Sequence, residues 1–352
     1  MAIPRPFDAQ QHTDFIAQLL TWYAQHGRSL PWRTTPANPY HVLVSELMLH
    51  QTTIKTVLPY FHRFIKRWPT LKTLASASVE EVLHAWQGLG YYRRARALHQ
   101  TACIILQQGG QLPTEEAALR TLPGIGPYTA AALCSIAFQT PAAAVDGNVK
   151  RVFARLFCLS QTGPPLLTEV HTRSLAFVQH TPKPGDYTQA LMDLGATVCT
   201  PTSPTCTVCP LQSFCQSAAH GTPSAFPMKP PKKPLPTRYG HFFWLQHKCS
   251  GHWWMEQEQE RLLHGLFRPP RSAFTPTPQP PVFPLEAIWK HVGHVQHTFT
   301  HFKLSLDVWQ GTTDHKTNAP ATWVTPDTLQ DLALSTLTRK ALSYLMPEKR
   351  CA

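Results

Sequence analysis

The sequence predicts an all-α region followed by a smaller α+β domain, on three observations. From Asp8 to about Ala218, apolar residues recur at intervals of three and four, as in FIAQLLTWY and VLVSELML, without sustained alternation. The run from Gly221 to Pro236, GTPSAFPMKPPKKPLP, has too many prolines for a helix or a central strand. After Arg238 the segments YGHFFWLQH, GHWWMEQ and FKLSLDVWQ are typical of strands. We therefore expect a helical region over 1–220, a linker over 221–237 and a second domain over 238–352.

Within these regions, several element boundaries can be predicted in order. Asn38 is a polar cap before a first-turn proline, Pro39, and Thr114 precedes two first-turn glutamates, so both positions predict helix starts. In the second domain, Pro269 to Pro284 predicts a surface loop and Pro326 to Met346 a closing helix.

The charge balance predicts a polyanionic partner. Among 352 residues, 32 are Lys or Arg and 20 are Asp or Glu, which gives a formal net charge of +12. No secretory signal follows Met1, and no apolar run is long enough to span a bilayer, so we expect no membrane partner. The cysteines outside the closely spaced set at positions 199–215 show no disulfide-like pairing. These features predict a reducing intracellular compartment, the cytoplasm and, in a bacterium, its nucleoid.

Four cysteines in the run CTPTSPTCTVCPLQSFC predict a metal centre. Their spacing is Cys-x6-Cys-x2-Cys-x5-Cys, and the centre could be a [4Fe–4S] cluster or a structural zinc. Zinc sites usually combine two short Cys-x2-Cys knuckles, and this run has one, so the spacing favours the cluster. Disulfide-bonded or merely structural cysteines are the alternative, but two bridges in so short a loop would be strained. The predicted ligands are Cys199, Cys206, Cys209 and Cys215.

The segment LRTLPGIGPYTAAALCSI predicts a helix, a tight hairpin and a second helix. Gly124 and Gly126 allow a positive φ and let backbone amides approach a phosphate. Pro127 begins the second helix, whose N-terminus adds a positive dipole. This arrangement would hold a nucleic-acid backbone without reading its sequence.

Two carboxylates are candidates for catalysis. Asp146 opens the segment DGNVKRVFARLF, where it can cap a helix and also oppose a developing positive charge. Glu46 is the lone acid in YHVLVSELML, and burial there would raise its pKa and make it a proton donor near neutral pH. A surface position on an amphipathic helix is the alternative for Glu46.

These motifs together resemble the helix-hairpin-helix DNA glycosylases, the endonuclease III and adenine glycosylase group. The cysteine loop, the hairpin and VDGNVKRV carry the resemblance, and PWRTTPANPYHVLVSELMLHQTT resembles the adenine glycosylase motif. The resemblance implies a six-helix part over about 29–142 and a cluster part over about 1–28 plus 143–220. It also implies that the [4Fe–4S] cluster is structural and positions a loop against DNA.

The resemblance assigns roles to the candidate residues. It implies that Glu46 protonates a flipped adenine and that Asp146, with Tyr128 nearby, stabilises the sugar cation. Tyr128 stands where bifunctional relatives carry a nucleophilic lysine, so a monofunctional, water-using enzyme is implied. The resemblance implies an adenine pocket formed by Arg28, Leu30, Trp32 and Gln189. It implies a substrate or DNA contact for Asn148, which belongs to the VDGNVKRV motif. It also implies that two wedge residues, Gln51 and Tyr91, enter the base stack. Trp32 and Tyr91 could instead be ordinary core aromatics.

The second domain resembles the Nudix-like domain of adenine glycosylases. HVQHTFTHFKLSLDVW resembles the loop that reads 8-oxoguanine, which implies roles for Phe299, Thr300 and His301. No glutamate-rich Nudix box is present, so this domain is expected to bind and not to hydrolyse. Thr300 replaces the usual serine of that loop, and His50 stands where the family usually has the first of two glutamines.

The expected function is removal of adenine mispaired with 8-oxoguanine or guanine in double-stranded DNA. A thymine-excising mismatch glycosylase of the same superfamily and a non-catalytic DNA-binding module are the alternatives. We expect a monomer, with the linker as a site for repair or replication partners.

Overall fold

The computed structural model describes residues 7–228, 234–260, 262–314 and 322–345. The middle of the predicted linker, residues 229–233, and Met346 at the end of the predicted closing helix lie outside the described residues. The chain divides into two compact units, Met1–Ser76 with Gln100–Pro231 and Ala77–His99 with Lys232–Ala352. No described helix is long and apolar enough to cross a membrane.

The first unit is built from helices. The helices before the second unit are α1 (Ala9–His26), α2 (Pro39–Leu49), α3 (Ile54–Arg67) and α4 (Leu71–Ala75). The next helix, α5 (Val79–Ala85), belongs to the second unit, and the boundary between the units falls within α6 (Arg93–Gln107). The first unit then continues with α7 (Glu116–Leu119), α8 (Pro127–Ala132), α9 (Gly147–Leu156), α10 (Gly163–Val178), α11 (Pro184–Thr197) and α12 (Gln216–Ala219). Apolar faces of α1, α2, α9 and α11 form its core, which includes Phe15, Leu43, Phe153 and Leu191.

Of the helix caps predicted at Asn38 and Thr114, the first is confirmed and the second is wrong. The Asn38 side chain accepts hydrogen bonds from the backbone amides of Tyr40 and His41, at 3.0 and 3.2 Å, at the start of α2. The cap position of α7 is Glu115 and not Thr114, and Glu115 makes no side-chain capping bond. The positive end of the helix dipole favours glutamates at the start of α7, but no hydroxyl of Thr114 caps the helix.

The predicted hairpin lies between α7 and α8. Gly124 has φ +76°, which favours glycine, whereas Gly126 has φ −91° and acts as the cap residue of α8. The expectation of a positive φ is therefore right for Gly124 and wrong for Gly126. A Cβ at Gly126 would meet no described atom within 4 Å, so the space beside its amide is open.

The second unit contains a mixed sheet. Its strands are β1 (Thr237–His247), β2 (Trp253–Gln257), β3 (Phe267–Arg268), β4 (Ile288–Thr298), β5 (Lys303–Thr313) and β6 (Thr322–Val324). The order is β3-β2-β1-β5-β4, with β6 paired to β2, and only the β1–β5 pair among these is parallel. One face of the sheet packs a core that includes Phe242, Trp244, Leu306 and Val308.

The end of the second unit differs from the predicted single helix. Two short helices, α13 (Pro326–Asp331) and α14 (Thr336–Leu342), take its place. Leu332 adopts an extended conformation with ψ 147°, and the Ser335 side chain then accepts from the amide of Thr338 to cap α14. The predicted loop over 269–284 has no helix or strand among its described residues, and Val282 is 79% exposed there.

Candidate active site

A cavity of about 550 Å³ in the first unit brings most of the predicted site residues together. It opens between α2, α8, the start of α9 and α11, beside the segment that precedes α2. Its size falls within the range of pockets that hold small molecules. The predicted residues that line it are Arg28, Leu30, Trp32, Glu46, Gln51, Tyr128, Asp146, Asn148 and Gln189.

Glu46 is the buried acid of this cavity. It lies on α2 and is only 6% exposed, which excludes the alternative of a surface position. The Tyr128 hydroxyl donates a hydrogen bond of 2.7 Å to Glu46 Oε2. Burial, which outweighs this hydrogen bond, raises the pKa of Glu46 from 4.5 to about 7, and the charge of Asp146 adds to the rise. Glu46 can therefore hold a proton near neutral pH and give it to a bound group.

Asp146 is the second carboxylate of the cavity. It caps α9, with Oδ1 accepting from the Val149 amide at 2.7 Å and Oδ2 accepting from Asn148 Nδ2 at 2.8 Å. Burial raises the pKa of Asp146, while these two hydrogen bonds act in the opposite direction. The cap thus fixes the carboxylate in place and favours its ionised form. The two carboxylates have different surroundings, because Glu46 accepts from the Tyr128 hydroxyl whereas Asp146 accepts from two donors at a helix cap.

Tyr128 keeps its proton in this cavity. Burial raises the pKa of Tyr128 well above its ordinary value, and the nearby Glu46 and Asp146 raise it further. The hydroxyl is therefore a permanent donor to Glu46 and not a nucleophile at neutral pH.

Two cavity arginines share one buried aspartate that sequence reasoning missed. Asp193 on α11 is fully buried and accepts from Arg28 Nε at 2.8 Å, from the Arg28 amide at 2.9 Å and from both terminal nitrogens of Arg33 at 2.7 and 2.8 Å. Burial would raise the pKa of Asp193, but the hydrogen bonds from Arg33 and Arg28 lower it. Asp193 therefore holds both guanidinium groups at the cavity wall. Its signal was available, because Asp193 is the lone acid of the apolar run ALMDLGA, as Glu46 is of its own run.

Trp32 and Gln51 occupy different kinds of position on the cavity lining. Trp32 is 6% exposed and packs edge-on against Phe61, with ring centroids 5.2 Å apart, so it is both a core aromatic and a cavity residue. Gln51 is exposed and has φ +60°, an uncommon conformation for a residue with a side chain.

The remaining predicted residues lie outside the cavity lining. Gly124 and Gly126 belong to the hairpin of the first unit. In the second unit, the Tyr91 and Thr300 hydroxyls are 3.1 Å apart, and Tyr91 is 48% exposed with φ +50°. Exposure excludes a core role for Tyr91. Phe299 packs against Phe302 at 4.9 Å, while the adjacent Thr300 and His301 are exposed.

The four predicted ligand cysteines follow α11 within one short segment. All four have free, partly buried thiols: Cys199, Cys206, Cys209 and Cys215. Burial raises the pKa of Cys209 to about 12, so that a thiolate there requires a strong positive charge nearby. Within the described ranges, no group of three or more His, Cys, Asp or Glu residues is placed to hold a single metal ion.

Buried Arg155 supports the start of this segment. It is 1% exposed and donates to the Thr200 carbonyl at 2.7 Å, to the Pro201 carbonyl at 3.0 Å and to Cys199 Sγ at 3.3 Å. A fixed guanidinium beside a sulfur favours the thiolate form that metals bind.

A line of hydrogen bonds joins the cysteine segment to Asp146. Arg151 Nε donates to the Cys199 carbonyl at 2.8 Å, and Arg151 Nη2 donates to Asn148 Oδ1 at 2.9 Å. Asn148 in turn donates to Asp146. Displacement of the cysteine segment would therefore change the hydrogen bonding of Asp146.

The helical scaffold, its hairpin and the paired carboxylates define a class of DNA base-excision proteins. The family model described as HhH-GPD superfamily base excision DNA repair protein matches residues 44–176, and a NUDIX domain model matches residues 241–344. Curated adenine DNA glycosylases are similar over most of the chain. The rat protein is 33% identical, and the match covers 97% of this chain and 80% of the rat protein. The human protein is 34% identical, and the match covers 95% of this chain and 74% of the human protein. The chain belongs to the adenine DNA glycosylase family.

A solved structure supports the fold of the helical region. The structure of a thermostable thymine-DNA glycosylase has a TM-score of 0.54 and 28% identity, and the match covers 60% of this chain and all of that one. With the NUDIX domain match, the predicted fold class of a helix-hairpin-helix region followed by a Nudix-like domain is confirmed.

Proposed function

We propose that this protein removes adenine from double-stranded DNA in base excision repair, where adenine lies opposite 8-oxoguanine or guanine. One observation carries the proposal. Glu46, with a pKa of about 7, and the hydrogen-bonded Asp146 line the same cavity. The proposal is supported by the similarity of the chain to adenine DNA glycosylases. The size of the cavity, which suits one flipped nucleoside, also supports it.

The reaction divides between the two carboxylates. Protonated Glu46 gives its proton to adenine N7, so the base can leave with the electron pair of the N-glycosidic bond. Ionised Asp146 stabilises the cation that develops at the sugar C1′. Water then adds at C1′, and the proton that it loses passes to the Glu46 carboxylate, which restores the acid. The pattern is that of glycoside hydrolysis by two carboxyl groups.

The enzyme is monofunctional in this proposal. Tyr128, which holds its proton and donates to Glu46, occupies the position of the nucleophilic lysine in bifunctional relatives. Water and not the chain attacks the sugar.

The other cavity residues receive and hold the flipped base. Arg28, fixed by Asp193, supplies hydrogen-bond donors at the wall, and Trp32 and Leu30 supply apolar surface. Gln189 and Asn148 supply amides, and the exposed Gln51 is placed to enter the base stack. The hairpin amides at Gly124 and Gly126 hold a phosphate.

Recognition of the partner base belongs to other residues. Tyr91, exposed in a strained conformation, enters the stack beside that base, while Phe299, Thr300 and His301 read it. The proposed division of the chain is catalytic over 1–220, linker over 221–237 and recognition over 238–352, so Tyr91 would act with the recognition residues from within the catalytic sequence.

The four cysteines are proposed to hold a [4Fe–4S] cluster. Four free thiols in one segment, with Arg155 donating to Cys199 Sγ, form a suitable donor set. When bound, the cluster supplies positive charge and rigidity to the segment after α11. It takes no part in the bond cleavage.

Base release from defined duplexes tests the function. Single-turnover assays on adenine opposite guanine, 8-oxoguanine, cytosine and thymine should release adenine from the first two pairs and much less from the others. Thymine release from guanine–thymine pairs without adenine release would favour the thymine-excising alternative. Duplex binding without release of any base would favour the non-catalytic one.

A further inference from the structure

His50 lies in the cavity beside the proposed acid. It is the residue that follows α2, four positions beyond Glu46, and its side chain lines the same cavity. Both side chains contact the first turn of α8, Glu46 at the Tyr128 hydroxyl and His50 near Thr129.

His50 contacts the first turn of α8 at two neighbouring residues. Its Nε2 is 3.4 Å from the hydroxyl oxygen of Thr129, which is 1% exposed. Its ring lies 5.8 Å from the ring of Tyr128, centroid to centroid, at an angle of 52°. Tyr128 is therefore bounded by Glu46 at its hydroxyl and by His50 at its ring.

We propose that His50 is a positioning residue that holds the Tyr128 hydroxyl on Glu46 and thereby sets how readily Glu46 gives up its proton. This inference rests on the proposed function, in which Glu46 is the acid. The link is the hydrogen bond from Tyr128, which lowers the pKa of Glu46 against the larger opposing effect of burial. If His50 no longer holds the first turn of α8, that hydrogen bond weakens and Glu46 holds its proton more tightly.

Other charged groups also act on Glu46 and stay unchanged when His50 is replaced. Asp146 at the start of α9 raises the pKa of Glu46, and Arg33, from the segment before α2, lowers it. Arg28 lines the same cavity, where Asp193 holds it. The contacts of His50 with α8 offer one route to Glu46, through Tyr128, and the imidazole's own charge offers a second.

Two replacements of His50 separate these routes. His50→Ala removes both the contact with Thr129 and the imidazole, whereas His50→Gln removes the imidazole but keeps an amide that can bond to Thr129. Tyr128→Phe removes the hydrogen bond to Glu46 directly and gives the reference shift.

The pH dependence of single-turnover adenine excision is the first readout. Excision should fall as pH rises through the pKa of Glu46, about 7 in the unaltered chain. In His50→Ala the midpoint of this fall should move to higher pH, in the same direction as in Tyr128→Phe. The plateau rate should drop about tenfold, a fraction of what a general acid contributes. His50→Gln should restore the original midpoint and most of the rate, and His50→Ala should add no further shift to Tyr128→Phe.

A second readout does not depend on catalysis. Carbon-13 NMR of labelled glutamate carboxyls, with the Glu46 signal assigned by its loss in Glu46→Gln, follows the same pKa in the full chain without DNA. It should show the same upward shift in His50→Ala and its reversal in His50→Gln.

The outcomes that overturn the proposal are distinct from failure of the function. An unchanged Glu46 midpoint in His50→Ala, even with a lower melting temperature, would reduce His50 to a structural contact. An equal shift in His50→Gln and His50→Ala would assign the effect to imidazole charge instead. Lack of adenine excision by the unaltered chain would reject the proposed function, while the NMR titration would still decide the role of His50.

Discussion

The chemistry proposed for this protein depends at the residue scale on two carboxylates that share one cavity but have different surroundings. Glu46 is buried and accepts a hydrogen bond from one hydroxyl, and Asp146 is held by an amide and a side-chain donor at a helix cap. Burial raises the pKa of both carboxyl groups, but the two hydrogen bonds at the cap oppose the rise at Asp146.

Glu46→Gln should separate binding from chemistry. The amide keeps the shape of the side chain but has no proton to give, so single-turnover excision should fall about 10²–10⁴-fold while affinity for a mispaired duplex stays within about threefold. Retention of more than about a tenth of the original rate would contradict the role of Glu46 as the acid.

The same substitution has a stability readout with a defined sign. The pKa of Glu46 is raised on folding from 4.5 to about 7, so ionised Glu46 costs stability at pH above about 7 and costs none below about 4.5. Glu46→Gln should therefore raise the free energy of unfolding by roughly 3 kcal/mol at pH 8, with little change at pH 4. Denaturant titrations at the two pH values provide the comparison.

Single residues could be predicted from sequence where one position departs from its neighbours. Glu46 was a candidate because an acid that is buried in an apolar run must be paired or neutral. Asp193 gave the same signal and was missed, because its partners Arg28 and Arg33 are 165 and 160 positions away and only the fold brings them together. The contact of His50 with Thr129 also depends on the packing of α2 against α8.

At the element scale, local capping chemistry was predictable at Asn38 and Asp146 but not at Thr114. Asn38 and Asp146 cap α2 and α9 as expected, because a short polar side chain before a helix satisfies amides within its own segment. The single closing helix after Pro326 was wrong, because the extended Leu332 interrupts it and Ser335 caps a second helix. A cap inside an apolar run is hard to distinguish from a helical serine by periodicity alone.

The segment after α11 should depend on Arg155. Arg155→Leu would leave the carbonyls of Thr200 and Pro201 without their donor and would remove a positive charge beside Cys199. We expect protein prepared without oxygen to lose most of its iron and acid-labile sulfide and to melt at lower temperature, since a buried partner lost from such a network costs about 1–3 kcal/mol. Arg155→Lys keeps the charge and should retain more iron. One equivalent of zinc and no iron in the unaltered chain would contradict the cluster itself.

At the scale of the whole molecule, the residues proposed for bond cleavage and those proposed for reading the partner base lie in different units. The carboxylates and their cavity belong to the first unit, and Tyr91 and Thr300 belong to the second. The change from helix-like to strand-like patterns after the proline-rich run predicted a two-part fold, because each pattern reflects burial within its own segment. The grouping of residues 77–99 with the C-terminal part was not predictable in this way. It depends on contacts between distant positions, such as the bond from Gln87 to the Leu334 carbonyl.

Thr300 tests this division of labour at one atom. Its hydroxyl is 3.1 Å from that of Tyr91, so both hydroxyls are placed together where the partner base is proposed to be read. Thr300→Val keeps the shape and removes the hydroxyl, which should cost about 1–3 kcal/mol of the preference for 8-oxoguanine over guanine, or roughly five- to 150-fold in the ratio of excision rates. The excision rate of adenine opposite 8-oxoguanine, measured at saturating enzyme, should change much less than this ratio, because no residue of the cavity is altered.

Thr300→Ser is the matched control for this experiment. It restores the residue that the family usually carries and keeps the hydroxyl, so the preference should be equal to that of the unaltered chain or slightly higher. Tyr91→Phe removes the other hydroxyl and should reproduce part of the loss seen in Thr300→Val, with the double variant losing less than the two single losses combined. An unchanged ratio of 8-oxoguanine to guanine processing in Thr300→Val would mean that this hydroxyl does not read the lesion. The resemblance of HTFTH to a recognition loop would then reflect the inherited fold alone.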